Sequence, residues 1–492
     1  MSTLTITLCL TLTITLLSPW PCLGQTSQET GWRHQRVQAQ EGRCDIRRLT
    51  ATEARRRIRA EGGVTEIWDA EDQQFRCAGV AALRHVIEPG GLFLPSYTNA
   101  PYLTYVVQGS GIQGVIMPGC PETYQSVPAT TRQGRRGEGG EGRSVGDQHQ
   151  KVVRIRKGDV IASPAGVVQW TYNDGDTAIV SVTLLDMSNS QNQLDRNIRG
   201  FYLAGNPQRG EHGRQERQER SERGERGERG SEKESSGHNI LSGFDEELLA
   251  EAFGVDIETA RKMQGRNDDR GNIIRVKRHG LKILSPELEE KEWKEQRGRR
   301  RYEDNGLEES ICAMKFRHNI DKSTHTDIFD GNGGRASFLN SQNLPILKFL
   351  QLSAEKVVLN ENAMMVPHWK INGHGIMYIT RGSGRIQVVR DNGELVFDDR
   401  VQEGQLLVIP QNYVAMKKAG REGLEWVGFG TSNHPMISPL SGRLSIIKAI
   451  PEEVLMNSYD ISREQTRRLK SSGRQEMTLF TPGRSRDPYS IV

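Results

Sequence analysis

Two segments far apart in this chain follow one pattern, and that repetition restricts the fold more than any composition does. Set against each other without a gap, Glu246-Glu247-Leu248-Leu249 falls on Glu452-Glu453-Val454-Leu455, Phe253 on Tyr459 and Arg261 on Arg467. Ahead of each segment lie runs of four to eight residues rich in Val, Ile, Leu and Tyr, punctuated by Gly, Pro and Asn-Asp, which is the pattern of antiparallel strands and tight turns. A Gly109-Ser110-Gly111 turn in the first half mirrors Gly382-Ser383-Gly384 in the second, and Asp391-Asn392-Gly393 is a hairpin signal. Two copies of one unit account for these coincidences: a β-barrel or sandwich followed by a small helical arm. The apolar faces of the arms, such as Leu248, Leu249, Ala252 and Phe253, serve either an internal core or a docking partner.

At 492 residues, 35% hydrophobic and 26% charged, the chain is too long for one core and is expected to hold two domains with polar extras. The first 24 residues carry no charged side chain, are apolar and threonine-rich from Leu4 to Leu17, and break at "SPWPCLG". That outline predicts a secretory signal peptide over residues 1–24, cut between Gly24 and Gln25. A membrane span is the alternative, but the run is short and threonine-interrupted, and no later segment is long or apolar enough to cross a bilayer. Removing the leader takes away Cys9 and Cys22 and leaves Cys44, Cys77, Cys120 and Cys312, whose three possible pairings the sequence alone does not choose between.

Charge excludes a nucleic-acid role. Basic residues number 66 and acidic ones 62, and the conspicuous run Glu211 to Gly230 holds six Arg and six Glu, whereas polyanion affinity needs an uncompensated positive excess. Such Gly, Arg, Glu, Gln and Ser tracts bury too little apolar area to offset ordering entropy, so disordered loops are expected at about 125–150, 206–238 and 286–305, with a charged helix before a basic cluster as the alternative for the last. Of the 66 basic residues 49 are Arg, a nitrogen-rich bias that suits either a nitrogen store or a plain surface preference. Nucleophilic and phosphate chemistry lack their motifs: there is no GxSxG elbow and no P-loop, and Gly331, Gly333 and Gly334 read as a loop.

With a leader, two strand-rich halves, "NILSGFDEELLAEAFGVD" at Asn239 to Asp256 and "NGLEESICAMKFRHNID" at Asn305 to Asp321, the chain resembles an 11S globulin, the legumin type of seed storage protein. The resemblance covers nearly the whole mature chain. It implies a mainly β fold of two tandem cupin (jelly-roll) barrels, at about 44–284 and 318–470, each followed by a helical arm. It also implies cleavage between Asn305 and Gly306 by an asparaginyl endopeptidase, giving chains 25–305 and 306–492. A bridge mapping onto Cys120 and Cys312 would join these chains, and an intrachain bridge maps onto Cys44 and Cys77. Trimers of the precursor that become hexamers, and delivery through the secretory pathway to the seed's protein storage vacuole, follow from the same likeness, with no nucleic-acid or membrane partner. The family's label of acidic and basic chains fits poorly: residues 306–492 carry 23 positive and 20 negative charges, and the remainder 43 against 42.

Metal-binding cupins converge three imidazoles and one carboxylate inside the barrel, a set suited to manganese or iron. In the first half those positions map onto Ser96, Thr98, Tyr102 and Gln169, while the scaffold residues Gly158, Pro164, Gly166 and Asn173 stand where the motif wants them. In the second half they map onto His368, Lys370, Gly375 and Ala415, with Asn412 and Ala419 in place of the motif's Gly and Asn. One histidine of eight ligand positions remains. Lys370 is expected to bring a cation where a metal would sit, and His374, one residue before the carboxylate position, to point the other way. No metal, cofactor or catalytic residue is therefore expected. A metal-dependent bicupin enzyme of the oxalate decarboxylase or dioxygenase kind is the competing function, and a sugar-binding cupin using Trp170, His368 and Trp369 a third.

Overall fold

The computed structural model describes residues 46–69, 71–120, 124–126, 147–206, 238–277, 281, 312, 314–322, 326–442, 444–471 and 479–480. All of these belong to one compact unit, Arg36–Val492. The leader with Gly24 and Gln25, Cys44, the Asn305–Gly306 bond and the tract 286–305 lie outside the described residues.

The first half is built of two antiparallel sheets. One has the order β1 (Arg56–Ala60), β2 (Gly63–Trp68), β3 (Val80–Ile87), β12 (Ile179–Asp186), β5 (Tyr102–Gln108), β10 (Asp159–Ser163), β15 (Arg317–Asn319). The other runs β13 (Gly200–Tyr202), β4 (Gly91–Thr98), β11 (Val168–Tyr172), β6 (Ser110–Ile116), β9 (Val152–Arg156), with β14 (Ile273–Arg275) also on β4. His85 of β3 packs on Phe93 of β4 with 4.8 Å between ring centres, so the sheets close on each other as a barrel. The second half is a ten-stranded sheet: β16 (Ile328–Asp330), β17 (Gly334–Leu339), β18 (Ser353–Leu359), β23 (Val414–Gly430), β19 (Met364–Lys370) and β24 (Ile437–Pro439) in order. Off that path, β20 (Gly375–Val389) pairs β21 (Leu395–Gln402), β22 (Leu406–Ile409) and β23, and β25 (Leu479–Phe480) pairs β19.

The mirrored Gly-Ser-Gly sequences are not reversing turns. Gly109 joins β5 in one sheet to β6 in the other, and Gly382 sits inside the continuous β20, where the register against β23 shifts. Both adopt left-handed backbone, φ 82° and 76°, which costs glycine nothing. A Cβ on Gly382 would meet the carbonyl oxygen of Gly423 at 2.3 Å, so two bent strands cross there with no room for a side chain. The equivalent Cβ on Gly109 would meet that of Ala178 at 2.5 Å. The loop expected at 125–150 is likewise strand at its ends: β7 (Tyr124–Ser126) pairs β8 (Asp147–His149). Gln150 then binds the backbone of Met117 and Cys120 through its side-chain amide, an anchor that composition does not reveal. Gly334, read as loop, opens β17 opposite Leu359. The Asp391 hairpin forms as expected, with Gly393 at φ 80°.

Every residue of β12 is buried, because each of its faces has its own cover. Val182 and Leu184 join Ala82, Leu103, Tyr378, Val427 and Phe429 in one core shared by the two barrels. The halves also exchange segments. Ile46 and Leu49, 1% and 2% exposed, pack into the second barrel with Val357, Trp426 and Val396, and Thr52 pairs with Leu406. Conversely Phe316 and Ile320 enter the shared core, and β15 extends the first barrel's sheet beside β10.

Short helices complete the fold: α1 (Gln73–Ala78), α2 (Glu246–Phe253), α3 (Ile257–Gln264), α4 (Leu347–Leu350), α5 (Ile446–Ala449), α6 (Glu452–Tyr459) and α7 (Arg463–Ser471). Asp245 caps α2 by accepting from the backbone N–H groups of Glu247 and Leu248, and Gly254 ends it at φ 63°, so both ends are written locally. The repeat extends to tertiary contacts: Arg261 pairs with Glu246 at 2.6 Å in the first arm, and Arg467 with Glu452 at 3.5 Å in the second. Leu249 and Leu455 turn inward, whereas Leu248, Phe253, Val454 and Tyr459 are exposed.

Candidate functional site

In the second barrel the positions that map onto the cupin ligand motif, His368, Lys370, Gly375 and Ala415, line a buried ionic cluster. Strand β19 carries His368 and Lys370 two residues apart and so on one face, and His368 stands opposite Ala415 of β23. Two residues past Ala415, the same alternation brings Lys417 inward, and β18 supplies Glu355 from outside either motif. Together with Gly375, Met377, Ile409, Tyr413 and Trp369 these line a cavity of about 20 Å³, room for about one water-sized occupant.

Hydrogen bonding assigns the protonation states. His368 Nδ1 lies 2.8 Å from the carbonyl oxygen of Val366, which only an Nδ1–H can satisfy, so the Nε2 lone pair faces the Lys417 ammonium at 3.2 Å. Burial, reinforced by the charge of Lys417, pushes His368 down to about 3 and keeps it neutral. Lys417 is itself lowered to about 8 by burial and sits 5.6 Å from the ring centre of Trp426. For Glu355 burial acts to raise the pKa, but Lys370 and Lys417 outweigh it and hold the group below the usual carboxylate value. Its oxygens accept from Lys370 Nζ at 3.1 Å and from the Trp426 indole N–H at 3.4 Å.

A resident metal does not fit this donor set. The single imidazole nitrogen that could ligate is already engaged by an ammonium, and the next two inward groups are cations. Lys370, the cation the sequence expected here, lines the cavity and pairs with Glu355, and a second cation, Lys417, is the one that meets His368. Lys417 was legible from its i+2 spacing to Ala415, but Glu355 had no local signal. Among the described residues, no three His, Cys, Asp or Glu side chains gather as a metal-binding group.

The first barrel keeps the geometry with neutral groups. Ser96 stands opposite Gln169, and the Gln113 side-chain amide donates to the Gln169 oxygen at 2.7 Å, all buried. Thr98 is turned to its own backbone, donating to the Ala100 carbonyl at 2.8 Å. Tyr102 packs among Ala81, Ala100, Leu185 and Met187, where burial raises its phenol to about 12. The half-buried His85, lowered to about 4 by desolvation, lies 3.1 Å from the Thr65 hydroxyl as a hydrogen-bond partner. The scaffold positions explain their residue types: Gly166 has φ 78°, and its counterpart Asn412, at φ 65°, is a residue that tolerates left-handed backbone. Asn173 is fully buried and donates to the carbonyls of Ile87 and Thr177.

Other expected site residues fall elsewhere. His374 precedes β20 and accepts from the Gln411 backbone N–H at 3.1 Å, outside the cavity lining. Trp170 belongs to the first barrel and packs its indole over Gly114, so it does not join His368 and Trp369 as a stacking surface. Cys120 and Cys312 form a disulfide across 192 residues, and Cys77 is also disulfide-bonded, to a cysteine outside the described residues. Among the described residues no helix is long and apolar enough to cross a membrane.

Two strand-rich barrels that keep the turn scaffold of a metal site but fill it with their own side chains define a double-barrelled cupin without its ligands. A family model described as "Cupin" matches residues 49–209 and 318–467. The 13S globulin seed storage protein of Fagopyrum tataricum is 50% identical over 489 residues, covering 94% of each chain. Among solved structures, the coconut allergen cocosin superposes with a TM-score of 0.74 at 45% identity, covering 89% of this chain and 100% of that one. A recombinant pro-11S globulin of pumpkin gives 0.73 at 40%, covering 90% and 100%. The chain belongs to the cupin family and, within it, to the 11S globulins of seeds. Its function is that of a seed storage protein.

Proposed function

We propose that the chain is a non-enzymatic nutrient reservoir which enters the secretory route by a leader cut after Gly24 and accumulates in the protein storage vacuole. In this reading the precursor assembles as a trimer and, after cleavage between Asn305 and Gly306 by an asparaginyl endopeptidase, as a hexamer of disulfide-linked chains. The observation that carries the absence of catalysis is the Lys417 ammonium on the Nε2 of His368, the one imidazole at these positions, which leaves no ring nitrogen free to ligate a metal. Assembly is supported by the arms. Leu248 and Phe253 are 67% and 54% exposed in one arm, and Val454 and Tyr459 50% and 56% in the other. Two unlike apolar patches favour a head-to-tail contact, which closes into a ring. Covalent linkage after the cut is supported by the Cys120–Cys312 bridge, which spans the proposed scissile bond.

The deciding experiment replaces Asn305 with Gln, treats the assembled precursor with an asparagine-specific protease, and follows mass and chain composition. An uncleaved trimer is expected where the parent becomes a hexamer. A hexamer formed by the uncut variant refutes the switch, and about one equivalent of manganese or iron per chain in the purified parent refutes the non-enzymatic reading.

A further inference from the structure

We propose that the second barrel binds one small monovalent anion, of about the size of chloride, beside Lys417 and Lys370. Charge balance is the first argument. Among the described residues Glu355 is the one carboxylate in the cluster, His368 is neutral by its hydrogen bonding, and two ammonium groups face Glu355 with side chains only 13% exposed for Lys370 and 3% for Lys417 as a residue. The cluster therefore carries an excess of one positive charge in a site largely removed from water, and an uncompensated buried charge is costly.

Unspent donors are the second argument. An ammonium has three hydrogens, and among the described residues the bond to His368 Nε2 is the single hydrogen bond recorded for Lys417. Space is the third: the cavity of about 20 Å³, where one water-sized sphere needs roughly 10–15 Å³, holds no more than one monatomic ion. A water would answer the donors but not the charge; a halide-sized anion answers both. The apolar remainder of the wall, Met377, Ile376 and Ile409, suits a weakly hydrated ion. The first barrel is an internal control, since Ser96, Gln113 and Gln169 at the same place are uncharged.

The test uses the assembled protein with bromide as the probe. In crystals grown in a bromide salt, an anomalous peak is expected within hydrogen-bonding reach of Lys417 Nζ in every second barrel and in no first barrel, and Lys417→Met is expected to abolish it. Bromide found only at surface arginines, or a barrel peak undiminished in Lys417→Met, overturns the proposal. Should that variant not fold, the parent decides alone: its unfolding midpoint should rise with chloride and saturate, measured against gluconate at equal ionic strength. Equal midpoints in the two salts overturn the proposal as well.

Discussion

Replacing Glu355 with Gln keeps the shape of the side chain and an acceptor for Trp426, but removes the carboxylate charge that, among the described residues, faces Lys370 and Lys417. Removing one partner of a buried ion pair costs roughly 3–5 kcal/mol when the other must stay charged. Lys417 has an escape. With its pKa already near 8, giving up its proton at pH 7 costs only about 1.4 kcal/mol, one unit's worth, which caps its share of the loss. Lys370 loses a hydrogen-bonded charge partner at 3.1 Å, roughly a further 1.5 kcal/mol, so a total near 3 kcal/mol is expected at pH 7. The sign of the pH dependence follows from the lowered lysine pKa: the parent holds Lys417 charged below about 8, and the variant is driven to hold it neutral. The Lys417 share should therefore vanish near pH 9 and rise to about 2.7 kcal/mol at pH 6. Urea unfolding of parent and variant precursor at the three pH values measures this. A loss that is the same at pH 6 and pH 9 would refute the assignment of a buried charged Lys417.

Reduction without denaturant should leave the two chains of the cleaved protein together in gel filtration, because Ile46 and Leu49 are embedded in the second barrel and Phe316 and Ile320 in the shared core; separation by reductant alone would show the exchange to be weak. Leu49→Ala should cost roughly 2–5 kcal/mol, read as a lowered urea midpoint, although Leu49 lies outside the region that the family model matches in the second half. Gly382→Ala and Gly393→Ala start from nearly the same backbone, φ 76° and 80°, yet only the first meets a carbonyl oxygen at 2.3 Å. The second should cost about 1 kcal/mol and the first about 3 or more, and equal midpoints would contradict the strand crossing.

Much of this architecture was legible in the chain itself. The repeated arm segments, the Asp391 hairpin and the strand runs are set by local propensity and periodicity, and the loss of ligands at Ser96, Thr98 and Ala415 can be read position by position. What the sequence alone misassigned shares one cause. A Gly-Ser-Gly string has the chemistry of a turn whether it reverses the chain or carries it between sheets, and only the neighbouring strand, through the Gly423 carbonyl, distinguishes the two. Lys370 and Lys417 are equally able to supply a cation; which of them reaches His368 depends on where β18 presents Glu355, a residue remote from both motifs.

The sequence by itself thus determined the two barrels, their arms and the absence of a full ligand set, since these rest on patterns within a few residues of one another. Tertiary structure alone decided the exchange of residues 46–52 and 314–322 between barrels and the ionic cluster that fills the second pocket. Strand pairing joins residues hundreds of positions apart, and the field at a buried charge is the sum over whatever strands the fold happens to bring beside it.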